Sequence, residues 1–218
     1  MSGLLPHADR VLCQAAARCL AYPDEAFAVE LPLVSSALDA AGRGGAALRP
    51  FLDHAVSTPV GDLAAHYVDV FDFKNRHCLY LSWWTDGDTR RRGTSLVRFK
   101  EAYRAHGLEP TGEDLPDFLP VVLEFAAATG SDTLLREHRA GLELLRIALA
   151  EHGTPYAHVV AAVCAVLPGP SPRDRAEARA LARSGPAREE VGLAGYAERP
   201  YGHLDMLPIV GADGSGGH

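Results

Sequence analysis

The sequence predicts an all-α protein, a single helical domain of about eight helices. Apolar residues recur at intervals of three and four along nearly the whole chain, which is the spacing of one helix face. No segment shows the repeated alternation of apolar and polar residues that strands need. With 218 residues, 47% of them hydrophobic, the chain is long enough to bury one full core.

The first half of the chain is predicted to form four helices, over roughly residues 11–20, 24–42, 48–55 and 63–71. Pro23 ends the first helix, and Pro32 is expected to bend or split the second. The apolar run that follows, residues 78–84, has no clear period. A short strand and a buried continuation of the fourth helix both remain open there.

The second half is predicted to form four more helices, over roughly residues 88–107, 120–130, 131–149 and 155–167. Asp88 and Ser131 are the expected caps of the first and third of these. Residues 168–172, Pro-Gly-Pro-Ser-Pro, are typical of a linker. We therefore predict a helical domain over 1–168 and a linker and flexible tail over 169–218, in which residues 174–183 could form a short charged helix.

The composition excludes several functional classes. The chain carries 28 acidic and 21 basic residues, and this acidic excess argues against nucleic acid as the main partner. Its first residues do not show the charged-then-apolar pattern of a signal peptide, and it has no apolar stretch of the roughly 18 residues that a membrane span needs. None of the four cysteines lies in a Cys-x-x-Cys pair. We therefore expect a cytoplasmic protein with reduced thiols that does not insert into membranes.

Signals of catalysis and of metal binding are also missing from the sequence. It contains no P-loop, no Gly-x-Gly-x-x-Gly, no Gly-x-Ser-x-Gly and no His-Glu-x-x-His. The ten histidines include no pair at helical i, i+4 spacing. We predict a protein that is not an enzyme, with no catalytic residues and no metal site.

Two groups of residues are candidates for binding a partner peptide. Asp69 and Asp72 are three positions apart on the predicted fourth helix, beside Tyr67 and Phe71. An acidic rim next to an apolar face suits a basic, partly apolar segment, although a solvated polar face has the same pattern. Trp84 follows another tryptophan, so one of the two can be buried while the other anchors a partner. Burial of both tryptophans remains open.

Arg90, Arg91 and Arg92 stand in the first turn of a predicted helix, where positive charge opposes the helix dipole. They could bind a phosphate or carboxylate group, or they could pair with carboxylates of the chain such as Asp86 or Asp88. The first alternative allows a different function, a small helical protein that binds a nucleotide or phosphate through this turn.

Three segments resemble a known family. Tyr67-Val-Asp-Val-Phe71-Asp72 resembles the Tyr-x-x-x-Phe-Asp signature of redox-enzyme maturation chaperones. Residues 78–93, which include Thr-Asp-Gly-Asp-Thr-Arg-Arg-Arg-Gly, and residues 115–125 are similar to signatures of the NarJ branch. NarJ-type proteins are assembly chaperones for the molybdenum-containing catalytic subunit of respiratory nitrate reductase.

The resemblance implies a fold and a function. It implies a helical bundle like that of TorD and DmsD, which binds the N-terminal, leader-like segment of the nitrate reductase catalytic (alpha) subunit. It also implies that the apoenzyme is held open for insertion of the molybdenum cofactor before it docks to the membrane. No cofactor would be bound permanently, and transient contact with the molybdenum cofactor stays open.

The resemblance and the residue patterns together give one set of site residues. TorD and DmsD carry Pro-Asp-His where this chain has Pro116-Asp117-Phe118, so only Asp117 is carried over as a groove residue. The predicted peptide-binding residues are Tyr67, Asp69, Phe71, Asp72, Trp84, Asp86 and Asp117.

Overall fold

The computed structural model describes residues 4–73, 75–109 and 114–184, which form eleven α-helices and one 3-10 turn. The helices are α1 (His7–Leu20), α2 (Glu25–Ala40), α3 (Arg43–Ser57), α4 (Val60–Phe71), α5 (Trp83–Asp86), α6 (Arg90–Ala105), α7 (Leu119–Thr129), α8 (Thr133–Glu137), α9 (Arg139–His152), α10 (Tyr156–Val166) and α11 (Arg175–Ser184). Within these ranges the only β-type pairing is one isolated bridge. The all-α prediction is confirmed.

The helix predicted over residues 131–149 is in fact two helices, because the chain breaks at His138. Its backbone leaves the helical conformation (φ −105°, ψ 16°), and its ring lies 4.7 Å from that of Phe99, centroid to centroid. Ser131 does not cap α8 as predicted; the residue before the helix is Asp132, and the Ser131 hydroxyl donates to Thr133 instead. This break, the single-turn helix α5 and helix α11 raise the count above eight.

Two further local predictions are corrected. Pro32 does not split α2, which stays continuous and begins with a hydrogen bond from the Phe27 amide to the Asp24 carboxylate (2.8 Å). Asp88 does not cap α6, because Thr89 takes the position before its first residue. The Thr89 hydroxyl donates to the carbonyl of Asp86 (2.8 Å), so it does not cap the helix either.

The core is built around α1 and α10. Helix α1 packs against α7 and α10, and α10 packs in turn against α3 and α9. Alanines 15–17 on α1 are buried, and their small side chains allow the neighbouring helices to approach closely. The side chains of Tyr156 on α10 and Phe51 on α3 are fully buried and in contact, with ring centroids 4.9 Å apart.

Residues 78–82 form neither a regular strand nor a continuation of α4. Tyr80 makes the isolated antiparallel bridge with Phe118. The Leu81 amide donates to the carbonyl of Asp117 (2.9 Å), and the Leu119 amide donates to that of Leu79 (2.8 Å). These bonds hold the segment before α5 against the start of α7, at the place where the candidate site forms.

The segment after α10 lies against α9. The Arg139 guanidinium donates to the carbonyls of Gly169 and Pro170 (2.8 and 3.0 Å), and that of Arg146 donates to the carbonyl of Pro172 (2.5 Å). Helix α11 follows and packs on α9. The tail over 185–218 lies outside the described residues, and the division of the chain at 168/169 stays a prediction.

Candidate functional site

Two neighbouring cavities form one groove on the described surface. Their volumes are about 400 and 360 Å³, and both are lined by Ala21, Asp114 and Phe118. The smaller cavity, here called the aromatic compartment, is also lined by Tyr22, Tyr67, Phe71, Asp72, Cys78, Leu79 and Tyr80. The larger one, here called the acidic compartment, is also lined by Tyr103, Leu108, Glu109, Pro120, Val121, Glu124, Phe125 and Ala128.

The floor of the aromatic compartment is a packed set of rings. Tyr67 and Phe71 lie one turn apart on α4, with ring centroids 4.8 Å apart. Both pack on Tyr156, at 6.0 and 4.9 Å. The Tyr67 hydroxyl donates to the carbonyl of Leu20 (3.2 Å), and burial raises the pKa of this phenol, which keeps it protonated as a donor. The floor is therefore held in place by the protein itself.

The rim of the aromatic compartment is formed by more exposed rings. Tyr22 is 54% exposed and meets Tyr67 edge-on, with centroids 5.5 Å apart. Tyr80 and Phe118, joined by the backbone bridge, lie 5.3 Å apart and line the same compartment. A partner that enters this compartment therefore meets apolar ring surface from both groups.

Among the residues that the structure describes, every charged side chain that lines the groove is acidic. They are Asp72, Glu109, Asp114 and Glu124. Partial burial raises the pKa of Glu124; Arg18 opposes this shift and Asp114 adds to it. Glu109 is paired with Arg104 (3.1 Å), but Glu124 makes no hydrogen bond or ion pair with any described residue. The groove thus offers apolar surface with unneutralised negative charge.

Three of the predicted peptide-binding residues, Tyr67, Phe71 and Asp72, come together in the aromatic compartment. Asp69 does not line the groove; its carboxylate lies 3.9 Å from the His152 ring. Trp84 packs against Gly141, and its indole N–H donates to the carbonyl of Cys78 (3.0 Å).

Asp86 and Asp117 also lie outside the groove lining. The Asp86 carboxylate accepts a hydrogen bond from the Ser95 hydroxyl (2.6 Å). Asp117 is fully buried, contrary to the expectation of a groove residue, and accepts from the amide and the hydroxyl of Ser82 (3.2 and 2.5 Å). These two carboxylates hold α5 and the start of α6 in place.

The three arginines of the predicted anion site have different environments. Arg92 turns inward: its guanidinium lies 3.8 Å from the Asp117 carboxylate and 5.5 Å from the centre of the Tyr80 ring. Arg90 and Arg91 are exposed. Arg92 therefore serves an ion pair within the protein, which corresponds to the second of the two alternatives left open by the sequence.

The groove-lining residues outside the predicted set are Tyr22, Asp114, Phe118 and those of the acidic compartment, which include Glu124. Glu124 had a signal, since it is a lone carboxylate in the apolar run Val-Val-Leu-Glu-Phe. Tyr22 and Asp114 had none, because both precede a helix and reach the groove only through tertiary packing. Among the residues described, no group of three His, Cys, Asp or Glu could hold a metal ion.

Comparison with known proteins decides the family. The family model of the nitrate reductase delta subunit matches residues 37–162. The chain belongs to the nitrate reductase delta subunit family. The resemblance predicted from the three segments is thereby confirmed. No helix in the described ranges is both long and apolar enough to cross a membrane.

Two delta subunit relatives illustrate the range of similarity. The chain is 30% identical over 175 residues to the Bacillus subtilis protein NarJ, named as a nitrate reductase molybdenum cofactor assembly chaperone; the match covers 78% of this chain and 95% of NarJ. It is 48% identical over 104 residues to the nitrate reductase-like protein NarX of Mycobacterium tuberculosis, covering 46% of this chain but 16% of NarX. The chain thus spans only a small part of that longer relative.

A solved structure shows the same fold. The crystal structure of a redox enzyme maturation protein from Archaeoglobus fulgidus aligns with a TM-score of 0.57 and 21% identity, covering 72% of this chain and 91% of that one. The relatives named NarJ, from Bacillus subtilis and Escherichia coli, carry the names of assembly chaperones rather than of enzymes, which supports the prediction that this delta subunit family member is not an enzyme.

Proposed function

We propose that the protein is an assembly chaperone for respiratory nitrate reductase. In this proposal it binds the N-terminal segment of the catalytic (alpha) subunit in the groove. It holds the apoenzyme competent for insertion of the molybdenum cofactor before the enzyme docks to the membrane. The observation that carries the proposal is the groove itself, which combines a fixed aromatic floor with carboxylates as its only charged lining among the described residues.

The physical argument concerns the kind of segment that such a groove accepts. An amphipathic helix binds a groove by placing its apolar side chains in pockets and leaving its polar face outside. Here the pockets are edged by Asp72, Asp114 and Glu124, so the polar face should carry lysine or arginine. A leader-like, basic and partly apolar N-terminal segment has both properties.

The molybdenum cofactor is the cargo of the client in this proposal, and no groove residue is assigned to it. We place the binding step in the cytoplasm. All four cysteines are free thiols, and that state is the usual one in a reducing compartment.

The proposal is tested by calorimetric titration with a synthetic peptide that matches the first residues of the cognate catalytic subunit. A scrambled peptide is the first control. The exposed rim residue is replaced in Tyr22→Ala, and its matched control is Phe73→Ala, which removes a 77% exposed ring outside the groove lining. We expect Tyr22→Ala to weaken binding by about 1–2 kcal/mol and Phe73→Ala to leave it unchanged.

A second pair of variants separates the two aspartates of α4. Asp72 lines the groove and Asp69 does not, so Asp72→Asn should weaken the peptide complex more than Asp69→Asn. The difference should shrink at high salt, because screening weakens exposed charge pairs. Equal binding of the scrambled peptide, or no saturable binding of either peptide, would overturn the proposed recognition of the segment.

The chaperone role has its own readout. In cells that lack this protein, the molybdenum content of the purified catalytic subunit should fall and should be restored by the wild-type chain. Normal molybdenum content without the chain would contradict the role in cofactor insertion.

A further inference from the structure

Helix α6 carries an unusual concentration of positive charge. It holds six of the chain's 21 lysines and arginines within 16 residues, against a single carboxylate, Glu101. Residues 90, 93, 97, 100 and 104 follow each other at intervals of three and four, and all five are exposed. This row, here called the basic stripe, consists of Arg90, Gly93, Val97, Lys100 and Arg104 and is about 21 Å long.

Two of the three cations of the basic stripe have no structural explanation within the described part of the chain. Arg90 and Lys100 make no ion pair or hydrogen bond with any residue described. Arg90 also lies in the first turn, where a cation opposes the helix dipole and lowers helix stability. Val97, in the middle of the row, is 53% exposed. Two exposed cations without partners, one of which weakens its own helix, indicate a surface suited to an external anionic partner.

The basic stripe is continuous with the groove. Its last residue, Arg104, is paired with Glu109, which lines the acidic compartment. Tyr103, the neighbour of Arg104 on α6, lines the same compartment and is held there by a hydrogen bond from its hydroxyl to the carbonyl of Pro116 (2.5 Å). A chain that left the acidic compartment past Glu109 would meet Arg104, the last residue of the stripe.

From this continuity and charge pattern we infer that the basic stripe is a second docking surface for the same client. Its occupant is an acidic stretch of the catalytic subunit that follows the basic N-terminal segment. The inference rests on the proposed function and extends it: the partner is recognised as a basic segment in the groove followed by an acidic segment on α6. Because the charge of the partner would change from positive to negative along its sequence, the partner would bind in one direction only.

The test uses three versions of the N-terminal peptide. The first has no tail. The second has a C-terminal tail of about ten residues in which glutamate and serine alternate, and the third has the same tail with glutamine in place of glutamate. A tail of this length covers the basic stripe in an extended conformation. Each is titrated into the full chain, into a double variant Arg90→Glu and Lys100→Glu, and into the control Arg179→Glu. Arg179 is an exposed arginine on α11, and the stripe substitutions are exposed, so folding should be preserved.

We expect the acidic tail to tighten binding about threefold to tenfold, as a few exposed charge pairs do, and the glutamine tail to have no effect. The gain should vanish in the double variant and persist in Arg179→Glu. If both tails bind like the untailed peptide, the inference is wrong while the proposed function stands. If the untailed peptide itself does not bind, both fail.

A further arm addresses another anionic surface. Vesicles of phosphatidylglycerol and of phosphatidylcholine are mixed with the wild-type chain and with the double variant. Binding to the anionic vesicles that depends on Arg90 and Lys100, without any effect of the acidic tail, would assign the stripe to a membrane surface and overturn the inference.

Discussion

The carboxylate of Asp117 and the hydroxyl of Ser82 form a buried hydrogen bond of 2.5 Å between the start of α7 and the segment before α5. The Ser82 amide donates to the same carboxylate oxygen at 3.2 Å, and the Arg92 guanidinium lies 3.8 Å away. One buried acid thus joins the segment before α5, the start of α6 and the start of α7.

The first prediction concerns this acid. Asp117→Ala should lower the free energy of unfolding by about 3 kcal/mol, because it leaves the Ser82 donors without an acceptor and removes the partner of Arg92. Urea denaturation measures the change. The control is Asp88→Ala, at an exposed position in the turn before α6, which should leave the free energy of unfolding nearly unchanged. Similar values for the two variants would contradict the structural role of Asp117.

The second prediction concerns the contact between α5 and α9. A Cβ atom at Gly141 would lie 2.7 Å from the Cβ of Trp84, too close for the two helices to keep their positions. Gly141→Ala should therefore destabilise the protein by about 1–3 kcal/mol. Gly93→Ala, on an open helix surface, should instead stabilise it by up to about 1 kcal/mol. The midpoint of thermal unfolding should fall in Gly141→Ala and rise in Gly93→Ala. Shifts of the same sign in both variants would contradict the close approach of α5 and α9.

The third prediction is a dependence of stability on pH. The His66 ring lies 3.2 Å from the His54 ring and 3.2 Å from the Thr154 hydroxyl. Burial lowers the pKa of His66, His54 lowers it further, Asp69 partly opposes the shift, and His152 adds to the lowering. Because the folded pKa lies below the ordinary 6.5, the unfolded chain takes up a proton first. The stability that the neutral form of His66 contributes is complete above pH 6.5 and is lost as the pH falls below that value.

The measurement is the free energy of unfolding between pH 8 and 5. His66→Asn should flatten the loss at acidic pH, whatever its effect at pH 8. His158→Asn, at an exposed position on α10, should keep the wild-type slope. An unchanged slope in His66→Asn would show that this histidine does not carry the dependence.

The fourth prediction uses Cys78 as a probe of the groove. It is the only one of the four cysteines that is not buried, and it lines the aromatic compartment. Burial raises the pKa of Cys13 and Cys19 to about 12. Burial also raises the pKa of Cys78, but this thiol is the one that a reagent can reach from solvent. A maleimide should therefore label the folded protein once, and slowly.

Peptide bound in the aromatic compartment should slow this labelling in proportion to occupancy, as followed by mass spectrometry. Cys78→Ser is the control and should remove the label. Unchanged labelling at saturating peptide would place the peptide elsewhere on the surface.

Local patterns predicted much of the fold. Helix positions followed from the three-to-four spacing of apolar residues, and the start of α7 from the proline in its first turn. The break at His138 was not predictable, because the ring that packs on it, Phe99, lies on another helix. The continuity of α2 through Pro32 was not predictable either, because a proline inside a helix pattern locally favours a bend or a break.

The site was predicted where its residues share one helix. Tyr67, Phe71 and Asp72 lie on or next to the last turns of α4, so their proximity follows from helix geometry. Trp84 was placed in the groove because its side chain suits a peptide anchor, and Asp117 was carried over from the family resemblance. The burial of Asp117 depends on the whole fold and could not be predicted from either argument. Phe118 and Asp114 became neighbours of α4 only through the bridge at Tyr80.

The ring packing of Tyr67 and Phe71 on Tyr156, with the hydrogen bond to Leu20, also determines how the free energy of association divides between the two partners. These contacts restrain the two side chains before any peptide arrives, so we expect the protein to lose little conformational entropy on binding. The ordering penalty falls on the peptide, and burial of its apolar side chains should give a negative heat-capacity change. A segment that is already helical in solution would therefore bind more tightly than a flexible one of the same sequence.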